Sequence, residues 1–124
     1  MWGDGVGIRY QALSGVVGAT PELTVSPLAE RSGLRMAGEV GLATREIWER
    51  ALEQAVNGDG DGDVYYLELS SVTFVDVAGV GALACAAQRL PDGRRMVLHR
   101  PPPVLRRVLE TFWPDLSAIE VSMS

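Results

Sequence analysis

Residues 64–81 read VYYLELSSVTFVDVAGVG, and this stretch predicts a strand followed at once by a helix. Val64–Val75 contains many β-branched and aromatic residues and shows little alternation of apolar and polar positions. Such a run predicts a strand that is buried on both faces, at the centre of a mixed or parallel sheet. Asp76 ends the run, and the small and apolar residues after it predict a helix over Gly79–Leu90.

The segments on both sides of this stretch continue the alternation of strands and helices. A turn at Ser32-Gly33 separates two strand-like segments, 22–31 and 33–40, and predicts a hairpin. The other predicted elements are a helix over Ala43–Val56, a strand over residues 95–99, a helix over residues 104–113 that Pro114 ends, and an edge strand over residues 117–121. In the last of these helices, the residues spaced to form one apolar face are Leu105, Val108, Leu109 and Phe112. The predicted fold class is α/β, a mixed β-sheet of about five strands with three or more α-helices packed on it.

Length and composition predict one soluble domain. The chain has 124 residues, of which 47% are apolar, and this is enough for a single core. We predict a domain over residues 21–124, preceded over residues 1–20 by a flexible arm, an added strand or the remnant of an upstream domain. Apolar stretches are far shorter than the roughly 20 residues that span a bilayer, and residues 1–10 lack the features of a signal peptide. These observations predict a cytoplasmic protein without membrane insertion, and the net charge of −5 argues against nucleic acid as a partner.

The junction after the long strand is the first candidate site. Asp76 stands where its carboxylate can cap the next helix by accepting a hydrogen bond from a backbone N–H group. Glycine in a helix interior costs about 1 kcal/mol relative to alanine, so Gly79 and Gly81 indicate a close approach of the backbone to a neighbouring strand or to a bound molecule. Val77 and Ala78 carry no reactive group. The pattern predicts a docking surface or an anion-binding helix start, with no cofactor.

A second candidate is the acidic stretch NGDGDGDVYYLE at residues 57–68, which has most of the spacing of a calcium-binding loop. Such a loop needs its last ligand, Glu68, to fold back over the ion from a helix. Residues 64–75 instead read as a strand, which would carry Glu68 roughly 15 Å away along its axis. The sequence therefore predicts a solvated loop and no metal site.

Signatures of catalysis are missing from the sequence. His99 has no serine or cysteine spaced as a nucleophile partner, and we predict a surface or half-buried imidazole. Neither the dinucleotide-binding nor the phosphate-loop pattern of glycines occurs. The only cysteine, Cys85, lies in an apolar helix-like run and predicts a buried, inert thiol. We predict that the protein is not an enzyme.

Residues 67–90, LELSSVTFVDVAGVGALACAAQRL, and residues 94–110, RRMVLHRPPPVLRRVLE, closely resemble the STAS domain, the fold of the bacterial anti-sigma factor antagonists. The resemblance runs from about Glu22 to Val121 and includes GEV at residues 38–40. In that family the junction reads Asp-Ser-Ser/Thr-Gly-Leu/Ile-Gly, and a partner kinase that is itself an anti-sigma factor phosphorylates the first hydroxyl residue. The unphosphorylated protein binds this kinase and so frees the sigma factor.

The resemblance implies which residues bind a partner. The six positions of the family junction correspond to Asp76, Val77, Ala78, Gly79, Val80 and Gly81. Val77 occupies the phosphorylation-equivalent position, so the roughly −2 charge of a phosphate cannot appear there. Gly41 replaces an acid of the family pattern. The resemblance implies a signalling module that binds a serine kinase acting as an anti-sigma factor and is not controlled by phosphorylation. The alternative is a cytoplasmic regulatory or assembly subunit of a larger complex, such as a lipid transporter, and a homodimer is possible.

Overall fold

The computed structural model describes residues 22–57 and 62–124. Its strands are β1 (Leu23–Pro27), β2 (Gly33–Val40), β3 (Val64–Val75), β4 (Arg95–His99) and β5 (Ile119–Ser122). Its helices are α1 (Arg45–Asn57), α2 (Val77–Gln88) and α3 (Pro103–Phe112), and a 3-10 turn over Leu42–Thr44 precedes α1. The predicted arm, residues 1–20, lies outside the described residues, so the domain boundary stays a prediction. Residues 58–61 of the calcium-like stretch lie outside them as well.

All five strands form one sheet in the order β1-β2-β3-β4-β5. β1 and β2 are antiparallel, which confirms the predicted hairpin, and the other three neighbouring pairs are parallel. Each helix connects one parallel strand to the next, and such crossovers are almost always right-handed. Because the strand order always advances in the same direction, all three helices lie on the same face of the sheet, where α2 contacts both α1 and α3.

The core lies between this face of the sheet and the helices. Its fully buried side chains come from both layers and include Met36, Trp48, Leu67, Leu69, Leu83, Met96, Leu98 and Leu105. Leu83 and Ala86 of α2 are buried in this core. The α/β class, the mixed five-stranded sheet and the three helices are as the sequence predicted.

The prediction that β3 is buried on both faces is wrong. Its buried residues are Tyr65, Leu67, Leu69, Val72 and Val75, and they all lie on the helix-covered face. On the opposite face Glu68 is half-buried and Phe74 is exposed. At two irregularities in the pairing with β2, β3 has one residue more than its partner. Each extra residue shifts the alternation of buried and exposed side chains, so the sequence of β3 does not show a period of two.

Four local predictions also need correction. α2 begins at Val77 rather than Gly79, because Asp76 caps it, and α1 begins at Arg45 rather than Ala43. The Phe112 side chain, predicted to lie on the apolar face of α3, is exposed at the end of that helix. Cys85 is exposed rather than buried. α2 is apolar on every side, so its sequence does not show which stripe faces solvent.

Candidate partner-binding site at the β3–α2 junction

The junction after β3 lies beside the loop after β2. These two strands are parallel and end in register, with Val40 opposite Val75, so both chain segments leave the sheet at the same edge. The backbone N–H of Asp76 donates to the carbonyl oxygen of Val40 at 3.0 Å and joins the two segments. The Thr44 hydroxyl donates to the carbonyl oxygen of Glu39 at 2.7 Å and fixes the course of the β2–α1 loop.

Asp76 is the N-cap of α2, as predicted. Its backbone is extended, and its Oδ1 atom accepts a hydrogen bond from the backbone N–H of Gly79 at 2.7 Å. Its Oδ2 atom accepts from Nη2 of Arg45 at 2.9 Å. Both side chains are largely buried, with exposures of 25% for Arg45 and 30% for Asp76. The carboxylate is therefore held from two directions, by the helix it caps and by the first residue of α1.

Gly79 is needed for packing inside the protein. A Cβ atom on Gly79 would lie 2.8 Å from Cγ1 of Val40 and 3.0 Å from Cγ1 of Val75. The carbonyl oxygen of Gly79 accepts a buried hydrogen bond from Nε1 of Trp48 at 2.9 Å. The close approach that the sequence predicted is thus an approach to neighbouring strands. Gly81 is different, because the nearest atom to its Cβ position is Cη2 of Trp113 at 3.9 Å, an ordinary contact.

The six residues predicted to form the site divide into a surface and a support. Val77 is 62% exposed, and Ala78 beside it is also exposed. Val80 is fully buried and so cannot contact a partner in this conformation. Gly79 is buried as well, and Gly81 is half-buried. The accessible part of the site is therefore the Val77-Ala78 pair and the backbone around Gly81.

Sequence reasoning missed three residues at this edge. Leu42, in the loop after β2, is 88% exposed, and Phe74, near the end of β3, is partly exposed. Arg45, the ion-pair partner of Asp76, lies 31 positions away in the sequence. The apolar residue Leu42, two positions after GEV, was the one available signal in the sequence. The parallel pairing of β2 with β3 would have placed it beside the junction.

Of the other candidate residues, Glu68 and His99 lie in contact, and Asp59 and Asp61 of the calcium-like stretch lie outside the described residues. Within residues 22–57 and 62–124 no three or more His, Cys, Asp or Glu side chains are grouped to hold a metal ion. Oε1 of Glu68 lies 2.6 Å from Nδ1 of His99, which is half-buried as predicted. Burial of Glu68 favours its neutral form, but hydrogen bonds from Ser70 and His99 outweigh this effect and lower the pKa of its carboxyl group. In the described part of the chain, no helix has the length and apolar character to cross a membrane.

Comparison with known proteins identifies the family. A family model described as the Mlab, STAS domain matches residues 23–113, so the chain belongs to the STAS domain family. An anti-sigma factor antagonist from Mycobacterium paratuberculosis has a similar structure, with a TM-score of 0.65 and 19% identity, over 85% of this chain and 87% of that chain. The unphosphorylated form of the anti-sigma factor antagonist SpoIIAA is also similar, with a TM-score of 0.59 and 17% identity, over 83% of this chain and 89% of that chain. No curated protein matches the sequence. The structural likeness confirms the predicted fold.

Proposed function

We propose that this protein is a non-enzymatic, cytoplasmic interaction module of the anti-sigma factor antagonist type. It binds an anti-sigma factor with serine kinase activity through the junction at residues 76–81, and phosphorylation at position 77 does not control the binding. The observation that carries this proposal is the exposed apolar side chain of Val77, which starts a helix held rigidly by buried contacts.

The rigidity of the junction supports a binding role. Asp76 is held by Val40 and Arg45, and Gly79 is held by Trp48 and by the cap of Asp76. A surface that is already ordered loses little conformational entropy when a partner docks, so more of the contact energy appears as affinity. Exposed Val77 and Ala78 then provide a small apolar contact at a helix N-terminus.

The chemistry of Val77 determines how the binding is controlled. A phosphorylated serine at this position would bring a charge of about −2 into the interface, and repulsion and desolvation would weaken binding. Valine has no hydroxyl group to accept the phosphate. The surface therefore stays in its binding state, and control must come from the amount of protein or from the partner.

The same observation favours a second candidate function. A subunit of a permanent complex needs a docking surface without an off-switch, and Val77 provides one. In that case the protein is a STAS-type cytoplasmic regulatory or assembly subunit of a larger complex, such as a lipid transporter. The two candidates differ in the partner and not in the surface that binds it.

The test compares Val77→Asp with a control at the last residue of α3, outside the six-residue junction. Val77 is 62% exposed and Phe112, at the far end of α3, is 65% exposed, so Phe112→Asp adds the same charge at a similarly open position. Each anti-sigma factor kinase encoded in the source genome is purified and titrated by calorimetry. We expect Val77→Asp to weaken binding by about 2 to 5 kcal/mol, or roughly thirty-fold to several-thousand-fold. A new carboxylate at a helix N-terminus contributes about 0.3 to 1 kcal/mol of stability, so the melting temperature should not fall.

Phosphorylation provides the second measurement. Incubation with the binding kinase and ATP should leave the wild type unmodified at residues 76–81, whereas Val77→Ser should acquire phosphate at position 77. Phosphate on Ser70, Ser71 or Thr73 of the wild type would contradict the absence of a switch. The second candidate is correct if no kinase binds and the protein copurifies with a membrane transporter complex. In that case the Phe112→Asp variant should remain in the complex and the Val77→Asp variant should be lost from it. If Val77→Asp changes neither interaction, the junction is not the binding surface.

A further inference from the structure

The two edge strands of the sheet differ in what they present to solvent. The N–H of Glu39 donates to the Glu22 carbonyl, and the N–H of Leu28 donates to the Gly33 carbonyl. The even-numbered residues of this segment therefore direct their backbone N–H and C=O groups toward β2. The alternate residues turn outward, and one of them is Pro27, which has no N–H group to offer. Proline at an edge blocks the addition of another strand, so the outer edge of β1 is protected.

β5 has no such protection. Arg100 N–H donates to the Ser122 carbonyl, and Met96 N–H donates to the Ala118 carbonyl, each at 2.8 Å. The backbone groups of Ala118 and Ser122 therefore face β4. Ile119 and Val121, which alternate with them, direct their backbone groups away from β4, and Met123 continues this alternation. Within the described residues, no hydrogen bond satisfies the N–H or C=O of Val121, the N–H of Met123 or the C=O of Ile119. The only charged side chain of β5 is Glu120, which pairs with Arg95 at 3.6 Å.

We propose that β5 pairs antiparallel with β5 of a second copy of this chain, around a two-fold axis at Val121. The N–H of Val121 donates to the C=O of Val121 of the partner subunit, and the reverse bond is identical. The N–H of Met123 donates to the C=O of Ile119 of the partner subunit, again in both directions. Four outward donors then meet four outward acceptors, and the two sheets join into one of ten strands.

Charge also fits this register. Glu120 faces Ser122 of the partner subunit, so the like charges of the two strands are not opposed across the axis. Glu120 can keep its own partner Arg95, because both side chains lie on the sheet face that carries no helices. This self-complementary pattern of backbone groups and charges identifies a second copy as the occupant.

Apolar side chains cover the helix side of the same edge. Val121 is 40% exposed, and the flexible side chain of Met123 is about half exposed. A depression of about 220 Å³ lies between α3 and β5, and its lining includes the apolar residues Leu109, Trp113, Ile119 and Val121 and the charged residues Arg106 and Glu110. In the proposed register Met123 of the partner subunit stands opposite Ile119, next to this depression, and the adaptable thioether side chain can enter it. Pairing therefore buries apolar surface in addition to backbone groups.

The test measures self-association of the full 124-residue chain by sedimentation velocity from about 1 μM to 1 mM. We expect a concentration-dependent dimer. Val121→Glu and Val121→Lys each place like charges at the two-fold axis and should raise the dimer dissociation constant at least about a hundredfold. An equimolar mixture of these two variants should restore a dimer that contains one of each. Val104→Glu is the matched control, because Val104 is 43% exposed at the start of α3 and should leave the dimer intact.

Hydrogen exchange identifies the paired groups. The amides of Val121 and Met123 should exchange more slowly as the concentration rises through the dimer dissociation constant. Met123→Pro, which removes only an outward N–H, should also weaken the dimer if the charged variants do not fold. The proposal is overturned if the wild type stays monomeric at about 1 mM, if Val121→Glu associates like the wild type, or if these two amides exchange independently of concentration.

Discussion

Replacing Asp76 separates the two interactions that hold the junction. Its Oδ1 atom caps α2 through the N–H of Gly79, and its Oδ2 atom pairs with Arg45. Asparagine caps a helix about as well as aspartate does but carries no charge. Asp76→Asn therefore removes the ion pair and keeps the cap, whereas Asp76→Ala removes both.

The expected losses follow from the geometry of each interaction. Loss of an N-cap costs about 1 kcal/mol. Exposed ion pairs contribute about 0 to 1 kcal/mol and hydrogen bonds to charged groups about 1.5 to 3 kcal/mol. The Asp76–Arg45 pair is about three-quarters buried, so we take about 1 kcal/mol for it. Asp76→Ala should thus lower the free energy of unfolding by about 2 kcal/mol and Asp76→Asn by about 1 kcal/mol.

Urea denaturation and a double-mutant cycle measure these quantities. Arg45→Met removes the same ion pair from the other side, so the double variant with Asp76→Asn should lose about as much as either single variant alone. A coupling energy near zero would show that the ion pair contributes nothing. An equal loss in Asp76→Asn and Asp76→Ala would show that the cap does not act, and the description of the junction would then be wrong.

Three further predictions use other parts of the structure. Gly79→Ala should lower the free energy of unfolding by about 1 kcal/mol or more, because overpacking against Val40 outweighs the gain in helix propensity, whereas Gly81→Ala should raise it by up to about 1 kcal/mol in the same urea experiment. The pKa of Glu68 lies below its ordinary value in the folded protein, so its stabilising contribution is complete above about pH 5 and is lost as the pH falls through the folded pKa. Glu68→Gln should therefore reduce the decline of thermal stability below about pH 5, and an unchanged decline would contradict the assignment. Cys85 should react with a thiol reagent in the native protein at nearly the rate seen in urea, and protection of this thiol would show that it is buried.

The fold was largely predictable because the sequence marks its elements clearly. Ser32-Gly33, Asp76 and Pro114 stand at the boundaries of apolar segments, and each of them lies at or beside the end of a helix or strand in the structure. Burial on individual faces was less predictable. The extra residues of β3 at its irregular pairing with β2 break the period of two. The sequence therefore predicted burial on both faces for a strand that has one face open to solvent.

Contacts of the candidate site between residues close in the sequence were predictable, but contacts between distant residues were not. The cap of Asp76 involves residues three positions apart, a spacing that the sequence shows directly. Arg45 and Trp48 reach the same turn from 31 positions away, and no local pattern connects residues at that separation. The exposure of Cys85 was missed for another reason, since an apolar helix gives no sign of the side on which a partner helix lies.

Two residues of α2 support a binding role because the fold itself gains little from them. Val77 is largely exposed and buries little surface in the core, and valine is a weaker helix former than alanine. Gly81 has room for a methyl group, yet glycine within a helix costs about 1 kcal/mol relative to alanine. Gly79, by contrast, is explained by the strands it touches. Val77 and Gly81 lie four positions apart and so share one side of the helix, toward solvent. An exposed apolar side chain at Val77 and a half-buried glycine at Gly81 favour a partner that packs against Val77 and approaches the backbone closely at Gly81, which fits the surface proposed for binding.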